Sequence, residues 1–278
     1  ILNKKVMDRT PFIKWRNKIS FPKAAFFRCF FYTLKNDILS KRMFRKEYAM
    51  QKKTISQRLE RVAAFVPDGA KLLDVGSDHA YLPIYLIQEG RIEKALAGEV
   101  VEGPFQSAQK NVAEHGLTEQ IEVRLANGLA AFEAEDQIDT IVIAGMGGRL
   151  ISEILENGRA KLASISRLIL QPNNREDELR SWLVSNGFHL LAEDILEEAG
   201  KFYEILVAEA GQQTLTEQEK RFGPFLMKQQ SPAFQLRWQK ELKKLEGALA
   251  HIPEKNELER SAMSQKIESI KEVLHASK

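Results

Sequence analysis

The sequence has little cysteine and no long apolar run. Cys29 is the only cysteine among the 278 residues, which excludes an intramolecular disulfide framework and is typical of a reducing cytoplasm. No apolar stretch approaches the roughly 18 residues that a membrane-spanning helix requires. We therefore expect a cytoplasmic protein that does not cross a membrane. Its hydrophobic fraction of 44% supplies enough apolar side chains for a packed core.

Positive charge is scarce in the middle of the chain. Residues 50–210 carry 16 lysines and arginines against 26 acidic residues, whereas residues 1–49 carry 13 against 3 and residues 211–278 carry 12 against 9. The formal net charge of +3 therefore describes the two ends and hides an acidic centre. A nucleic-acid partner would have to be held by cations outside that centre.

The first 49 residues lack a sustained helical or strand period. Their aromatic clusters, as in "FPKAAFFRCFFY", are interrupted by scattered lysines and arginines, which is not typical of a signal peptide. Three interpretations remain open: a basic arm that binds nucleic acid, a weak amphipathic segment at a membrane surface, or a leader outside the working protein. The third rests on the regular helical pattern that begins at Met50.

From Met50 onward, short apolar runs alternate with helix-like stretches. The runs predict five strands: "KLLDVG" (71–76), "KALAGEV" (94–100), "IEVRLA" (121–126), "IDTIVIAG" (138–145) and "SRLILQP" (166–172). This alternation predicts a parallel sheet that is covered on both faces by helices. In residues 188–210 two strand-like runs meet at Ala199-Gly200 with no room for a helix, which predicts an antiparallel hairpin. Such a terminal hairpin favours an S-adenosylmethionine-dependent methyltransferase over a nicotinamide-dependent enzyme.

Ligands of open α/β sheets bind at the carboxyl ends of the strands, and these predicted ends are polar or rich in glycine. Asp74 suits a cationic amino group, and Glu99, 25 residues further on, suits the two hydroxyl groups of a ribose. Asn127 and Gly128 suit an adenine edge. The last two ends are "AGMGG" (144–148), whose glycines admit a close backbone approach, and "QPNN" (171–174).

The loop within "LLDVGSDHAYLP" contains no lysine or arginine, and Asp78 puts a negative charge where a pyrophosphate would lie. The loop therefore disfavours a dinucleotide and favours a ligand that carries a sulfonium and an ammonium group. Two structural alternatives stay open. Asp78 would serve as a cap for the next helix, and His79 would be a packed or solvent-facing imidazole.

Five segments together resemble one family: "DVGSDHAYLP", "AGEVVEGPFQSA", "IAGMGG", "LQPNN" and "GKFYEIL". They are similar to the bacterial tRNA (adenine-N1)-methyltransferases called TrmK, over about residues 50–278. The resemblance implies a Rossmann-like class I methyltransferase sheet, S-adenosylmethionine as methyl donor and adenine 22 of tRNA as target. We expect no metal. The resemblance also implies cofactor contacts by Asp74, Gly76, Ser77, Glu99, Val100, Asn127, Gly128, Gly145, Met146 and Gly147. It places Asp78, His79, Tyr81 and Asn173 on the side of the target base.

The chemistry of adenine methylation suits these residue types. Neutral adenine offers a lone pair at N1, so attack on a sulfonium methyl requires alignment more than deprotonation. Methylation leaves the base cationic, which a carboxylate such as Asp78 would stabilise. Tyr81 or His79 would stack on the extruded base, and Asn173 would bond an adenine edge. The sequence leaves these four roles interchangeable.

The tail predicts an antiparallel helical coiled coil, which the resemblance also implies. One seam recurs at helical spacing and a second follows Pro253; they comprise Trp238, Leu242, Leu245, Leu249 and Ile252, then Leu258, Met263, Ile267, Ile270 and Leu274. The predicted domains are the basic segment 1–49, the methyltransferase domain 50–211 and the coiled coil 212–278. We expect the tail to hold tRNA through lysines off the seam, namely Lys240, Lys243, Lys244, Lys266 and Lys271. The alternative is that these lysines only form a solvated polar face.

Two other classes of function remain as alternatives. One is a nicotinamide-dependent Rossmann enzyme, which the acidic loop disfavours. The other is a non-catalytic RNA-binding protein on a methyltransferase scaffold. The sequence does not determine the oligomeric state.

Overall fold

The computed structural model describes residues 55–275, and a mixed sheet of seven strands forms the centre of this part of the chain. The strands are β1 (Leu72–Val75), β2 (Ala95–Glu99), β3 (Ile121–Leu125), β4 (Thr140–Met146), β5 (Arg167–Pro172), β6 (Phe188–Glu198) and β7 (Lys201–Ala210). Their order is β3-β2-β1-β4-β5-β7-β6. The first five strands are parallel, and β7 is antiparallel to both β5 and β6. The predicted parallel sheet with a terminal hairpin is therefore confirmed.

Helices alternate with the parallel strands and then follow the hairpin. They are α1 (Gln57–Ala64), α2 (Tyr81–Gln88), α3 (Glu102–Glu114), α4 (Gly148–Asn157), α5 (Glu176–Ser185), α6 (Glu217–Phe222), α7 (Pro224–Gln229), α8 (Pro232–His251) and α9 (Glu257–His275). Local chemistry explains several starts: Ser56 caps α1 by accepting a hydrogen bond from the Leu59 amide, and Ser231 with Pro232 begins α8. The predictions for residues 1–49 and for a helix start at Met50 lie outside the described residues.

Two apolar cores lie on opposite faces of the sheet. Neighbouring residues along a strand point to opposite faces, so Leu72 belongs to the core beneath α1, α2 and α3, and Leu73 belongs to the core beneath α4 and α5. Central strands that are buried on both faces read as continuous apolar runs. For this reason the short apolar runs in the sequence predicted the central strands correctly.

A third apolar cluster joins the tail to the hairpin. Ile195 of β6 packs with Phe222, Phe234, Trp238 and residues of α9. The helices after Ala210 are therefore seated on the sheet, and the predicted boundary between residues 211 and 212 stays a prediction.

The two long tail helices run antiparallel. Gln230 Nε2, just before α8, donates to the carbonyl of Val273 near the end of α9, and Arg260 near the start of α9 donates to the carbonyl of Leu249 near the end of α8. The pairing agrees with the prediction, whereas a supercoil of the two helices stays a prediction.

The prediction is wrong for the last residue of the first seam and for the first residue of the second. Ile252 lies beyond the end of α8 in an extended conformation, and Leu258 is 89% exposed. Val273 is buried instead, and Trp238 packs edge-on against Phe222 at a centroid distance of 4.5 Å. Spacing identifies a helix face, but it does not show where the partner helix stops covering that face.

Within residues 55–275, no helix combines the length and the apolar character that crossing a bilayer would demand.

Candidate functional site

The carboxyl ends of β1 and β2 are joined by hydrogen bonds. The amide of Gly76 donates to the carbonyl of Gly98 at 2.9 Å, and the amide of Asp78 donates to Oε1 of the buried Glu99 at 2.6 Å. Glu102, the neighbouring acid, is exposed on α3 and accepts a hydrogen bond from Gln106. Glu99 is therefore the acid that faces the β1 loop.

The β1 loop holds three consecutive non-glycine residues in the left-handed region. Asp78, His79 and Ala80 have φ values of 32°, 65° and 55°, and such residues persist only where the surrounding structure holds them. Part of that support comes from α3, because Asn111 Nδ2 donates to the carbonyl of His79 at 2.6 Å. Helix α2 begins at Tyr81 after Ala80, and no side chain of the described residues caps it at this position. The alternative that Asp78 caps this helix is therefore wrong.

The polar side chains of this loop face outward and lie together. The side chain of Asp78 is 81% exposed, and its Oδ1 lies 3.6 Å from Nε2 of His79. The rings of His79 and Tyr81 stack at a centroid distance of 5.2 Å and an interplanar angle of 17°. Three of the four residues predicted on the target-base side thus form one group, in which Asp78 is exposed and His79 and Tyr81 are half-buried.

The two acids beneath the loop are withdrawn from water. Burial raises the pKa of Asp74 to about 7; the hydrogen bond from Ser77 Oγ, at 2.5 Å, and the charge of Arg58 act against this rise, while Glu99 adds to it. Burial also raises the pKa of Glu99 above its usual range, against the hydrogen bond from the Asp78 amide. Two buried carboxyl groups whose pKa values are raised by burial suit a ligand that brings its own positive charge.

The side chain of Met146 packs closely against Gly76 at the start of the loop. The φ of Gly76 is 68°, and a Cβ at this position would lie 2.2 Å from Cε of Met146. A side chain here would therefore both strain the backbone and displace Met146. This brings the predicted residues Gly76 and Met146 into contact across β1 and β4.

Amide groups bind the ends of β4 and β5 to each other. Asn173 Nδ2 donates to the carbonyl of Gly145 at 2.7 Å, and the Gly145 amide donates to Oε1 of the buried Gln171 at 3.1 Å. Gly145 has a φ of 81°, and Gly147 lies against the side chain of Asn174. The predicted Asn173 therefore lies at the same edge as the predicted glycines.

Arg58 was not predicted, although it belongs to this edge. Its Nη1 donates to Gln171 Oε1 at 2.6 Å, and its guanidinium lies 5.6 Å from the ring centroid of Tyr203. Arg58 and Gln171 are 113 residues apart in the sequence. The site prediction was based only on residues at strand ends, and Arg58 lies on α1, a helix that precedes the first strand. Arg58 was therefore missed.

The end of β3 is more open. Asn127 is exposed before a short 3-10 helix that begins at Gly128, whose φ is 54°. Val100, directly after β2, is 62% exposed. These three predicted residues lie at strand ends on the same edge of the sheet, and among the described residues the side chain of Asn127 makes no capping hydrogen bond to that helix.

The edge as a whole fits S-adenosylmethionine. The buried acids Asp74 and Glu99 suit an ammonium group and ribose hydroxyls, and residues 76–80 contain no cation for a phosphate. Within residues 55–275, no group of three or more metal-ligating side chains converges. A parallel sheet with a terminal hairpin and this edge define a Rossmann-like methyltransferase.

Comparison with known proteins identifies the family. A sequence profile described as tRNA (adenine(22)-N(1))-methyltransferase matches residues 72–272. The chain belongs to this family. It is 40% identical over 236 residues to the tRNA (adenine(22)-N(1))-methyltransferase of Bacillus subtilis, covering 81% of this chain and 99% of that protein.

Solved structures of similar proteins include cofactor complexes. Streptococcus pneumoniae Sp1610 in complex with S-adenosyl-L-methionine is 64% identical, with a TM-score of 0.75, covering 80% of this chain and 100% of that chain. The TrmK of M. capricolum in complex with S-adenosyl-homocysteine is 30% identical, with a TM-score of 0.71, covering 80% of this chain and 98% of that chain.

Proposed function

We propose that this protein transfers the methyl group of S-adenosylmethionine to N1 of adenine 22 in tRNA, and that the edge of the sheet described above carries out the reaction. The observation that carries the residue roles is the position of Glu99. This buried acid, which we assign to the cofactor, accepts a hydrogen bond from the amide of Asp78. The cofactor side of the site is therefore connected directly to the exposed polar loop on the target side.

On the cofactor side, each residue has a role that its surroundings support. Asp74, fixed by Ser77, binds the amino group of the ligand, and Glu99 accepts hydrogen bonds from the ribose hydroxyls. Asn127 and Gly128 face the adenine edge, and the exposed Val100 covers the adenine ring. The glycines at 76, 145 and 147, with Met146 beside the first of them, shape the space around the sulfonium.

On the target side, the work is alignment and charge stabilisation. The bound cofactor supplies an electrophilic methyl group on a sulfonium. His79 and Tyr81, already stacked on each other, offer a platform for an adenine taken out of its stack. Asp78 faces the positive charge that develops on the base, and Asn173 holds an edge of the base. The tail helices contact the tRNA outside the acidic sheet.

The substitution Asp78→Asn tests the target side. Because Asn keeps the size and a hydrogen bond but removes the charge, the affinity for S-adenosylmethionine should change little. The rate of methyl transfer should fall on the order of 100- to 1000-fold, the usual cost of losing one well-placed electrostatic contact. The measurement is single-turnover methylation of unmodified tRNA at saturating cofactor, with 1-methyladenosine quantified by mass spectrometry.

Glu102→Gln is the matched control, because it removes an exposed carboxylate from the same edge without touching the loop. Its rate should stay close to that of the wild type. A wild-type rate for Asp78→Asn would remove Asp78 from the chemistry and leave His79, Tyr81 and Asn173. A wild-type protein that binds cofactor and tRNA without forming 1-methyladenosine would instead support a non-catalytic RNA-binding role.

A further inference from the structure

A cleft of about 810 Å³ extends the target side of the site toward the tail. Its lining comes from residues 173–177 after β5, residues 201–203 at the start of β7, Arg221 of α6, and residues of α8 between 237 and 244. Asn173 and Tyr203 therefore share this cleft with the tail helix. A substrate that extends away from the target base would meet this surface.

Cations outnumber carboxylates in the cleft. Six cationic side chains line it, against the three acids Glu176, Asp177 and Glu241; the cations are Arg175, Lys201, Arg221, Arg237, Lys240 and Lys244. The acidic residues that dominate the middle of the sequence are thus outweighed here. A positive cleft beside a negative sheet attracts a polyanion to one defined surface.

Arg221 differs from the other arginines of the cleft. Its guanidinium lies 4.9 Å from the ring centroid of Phe222 and 5.7 Å from that of Trp238, and its Nη1 donates to Ser269 Oγ at 2.7 Å. Among residues 55–275, it has no carboxylate within 4.0 Å. Burial lowers the pKa of Arg221, although the charges of Glu241 and Asp177 act in the opposite direction.

Arg237 provides the contrast within the same cleft. Its guanidinium is held by Glu204 at 2.5 Å and by Glu176 at 2.9 Å. A half-buried cation normally has such a partner, because removal from water disfavours an unpaired charge. The guanidinium of Arg221 has N–H donors but no anionic partner. An oxyanion bound in the cleft would form with it the ion pair that Glu204 and Glu176 form with Arg237.

Trp238 adds an independent observation in the same place. This residue lines the cleft and is only 6% exposed, and its Nε1 has no hydrogen-bond partner among the described residues. A buried donor without an acceptor is uncommon in folded proteins. An indole donor without an acceptor lies beside a guanidinium without a carboxylate partner, and together they indicate a place for an anion.

Lys201 supplies a second free cation. It lies exposed directly after the Ala199-Gly200 turn, and within residues 55–275 its Nζ has no ion-pair partner. By comparison, Lys240 lies 4.9 Å from the ring centroid of Phe202 and 3.5 Å from Glu197, and Lys244 lies 3.5 Å from Glu241. Arg221 and Lys201 are thus the two cations of the cleft that have no carboxylate partner.

We propose that Arg221 and Lys201 bind backbone phosphates of the tRNA in this cleft, between the target adenine and the tail. The proposal rests on the proposed function, and it differs from the expectation that exposed lysines off the helical seam hold the RNA. Phosphate contacts position the substrate without reading its sequence. They should therefore affect tRNA affinity, and not the rate once tRNA is saturating.

The test uses the full chain and four single variants. Arg221→Gln and Lys201→Gln remove the proposed contacts. Lys94→Gln and Lys110→Gln are matched controls, because they remove the same charge from exposed positions outside both the cleft and the tail. For each variant, the dissociation constant for tRNA is measured by filter binding across a salt series, and methylation is measured at saturating tRNA.

Arg221→Gln should weaken tRNA binding about 10-fold and Lys201→Gln a few-fold, and each should reduce the slope of log K against log salt by about one. The same loss should appear with a tRNA in which adenine 22 is replaced by guanine, because phosphate contacts are independent of sequence. The controls, cofactor affinity and the saturating rate should not change.

Several outcomes would overturn the proposal. An unchanged salt slope in both cleft variants would do so, and so would equal losses in the controls. If Arg221→Gln does not fold, the exposed Lys201 decides the result, because Lys201→Gln removes no packed side chain. Failure of the proposed function has a separate signature, since the wild-type protein would then bind tRNA without forming 1-methyladenosine.

Discussion

Asp74 is the residue at which folding most changes the chemistry of a side chain in the site. It is 4% exposed, and its burial raises its pKa to about 7. Near neutral pH, a large share of the unliganded protein therefore carries a proton on Asp74. A ligand ammonium group requires the ionised carboxylate, so that binding must release this proton.

The affinity for S-adenosylmethionine should therefore depend on pH. Above about pH 7, Asp74 is already ionised and the affinity should be constant; below it, the dissociation constant should rise on the order of tenfold per pH unit. Calorimetric titration in buffers of different ionisation enthalpy measures both the affinity and the released proton. Asp74→Asn should bind weakly with no such pH dependence. A flat profile for the wild-type protein would contradict the assigned role.

Residues such as Asp74 and Glu99 could be predicted because each lies at the carboxyl end of a strand, and strand ends are visible in the sequence. Ser77 came only from the family resemblance. Arg58 and Gln171 were not predicted as partners, because their contact joins a helix and a strand that are 113 residues apart. The left-handed run at Asp78, His79 and Ala80 also gave no signal, since none of these residues is glycine.

At the scale of elements, the site depends on how α1 holds the ends of β4 and β5. Arg58 binds the oxygen of Gln171, the same oxygen accepts the Gly145 amide, and Asn173 closes the connection through the Gly145 carbonyl. One guanidinium thus helps to fix two loops that belong to different strands. We expect it to act as a positioning residue for both.

Arg58→Ala should lower the single-turnover rate about 10- to 100-fold, because small misplacements of reacting groups are costly. Since the charge of Arg58 also lowers the pKa of Asp74, its loss should move the pH dependence of cofactor binding to higher pH. Arg58→Lys should restore that pH dependence in part. Arg61→Ala removes the other arginine of α1, which pairs with Asp194, and should change neither property. An unaltered pH profile in Arg58→Ala would contradict the role.

The elements themselves were predicted unequally. Strands β1 to β5 and the hairpin were found because each is a short apolar run bounded by polar or glycine residues. The residues predicted for the seams of α8 and α9 were less accurate near the turn between the two helices. Helical spacing marks Leu258 as apolar, but only the packing shows that no partner covers it.

At the scale of the whole molecule, a buried ion network joins the sheet to the tail. Arg180 of α5 is fully buried between Glu193 of β6 and Glu204 of β7, and Arg237 of α8 shares Glu204. Arg180 Nη1 also donates to the carbonyl of Lys220 in α6. The tail is therefore fixed to the sheet by charges as well as by the apolar cluster around Ile195.

Arg180→Met should lower the free energy of unfolding by about 3–5 kcal/mol, because it leaves the two buried carboxylates without their shared cation. Urea denaturation followed by circular dichroism measures the change. Arg167→Met is the matched control; it breaks the half-exposed pair with Glu209 and should cost no more than about 1 kcal/mol. Equal losses in the two variants would show that burial of the Arg180 network does not matter.

The β1 loop has a consequence for how this protein changes under selection. Each left-handed non-glycine residue at positions 78 to 80 costs on the order of 1 kcal/mol in the folded state, and glycine would remove that strain. Selection for thermal stability alone should therefore accept replacements at His79 that selection for methylation rejects. In an evolving population, the residue found at position 79 would show whether selection for thermal stability or selection for tRNA methylation had been stronger.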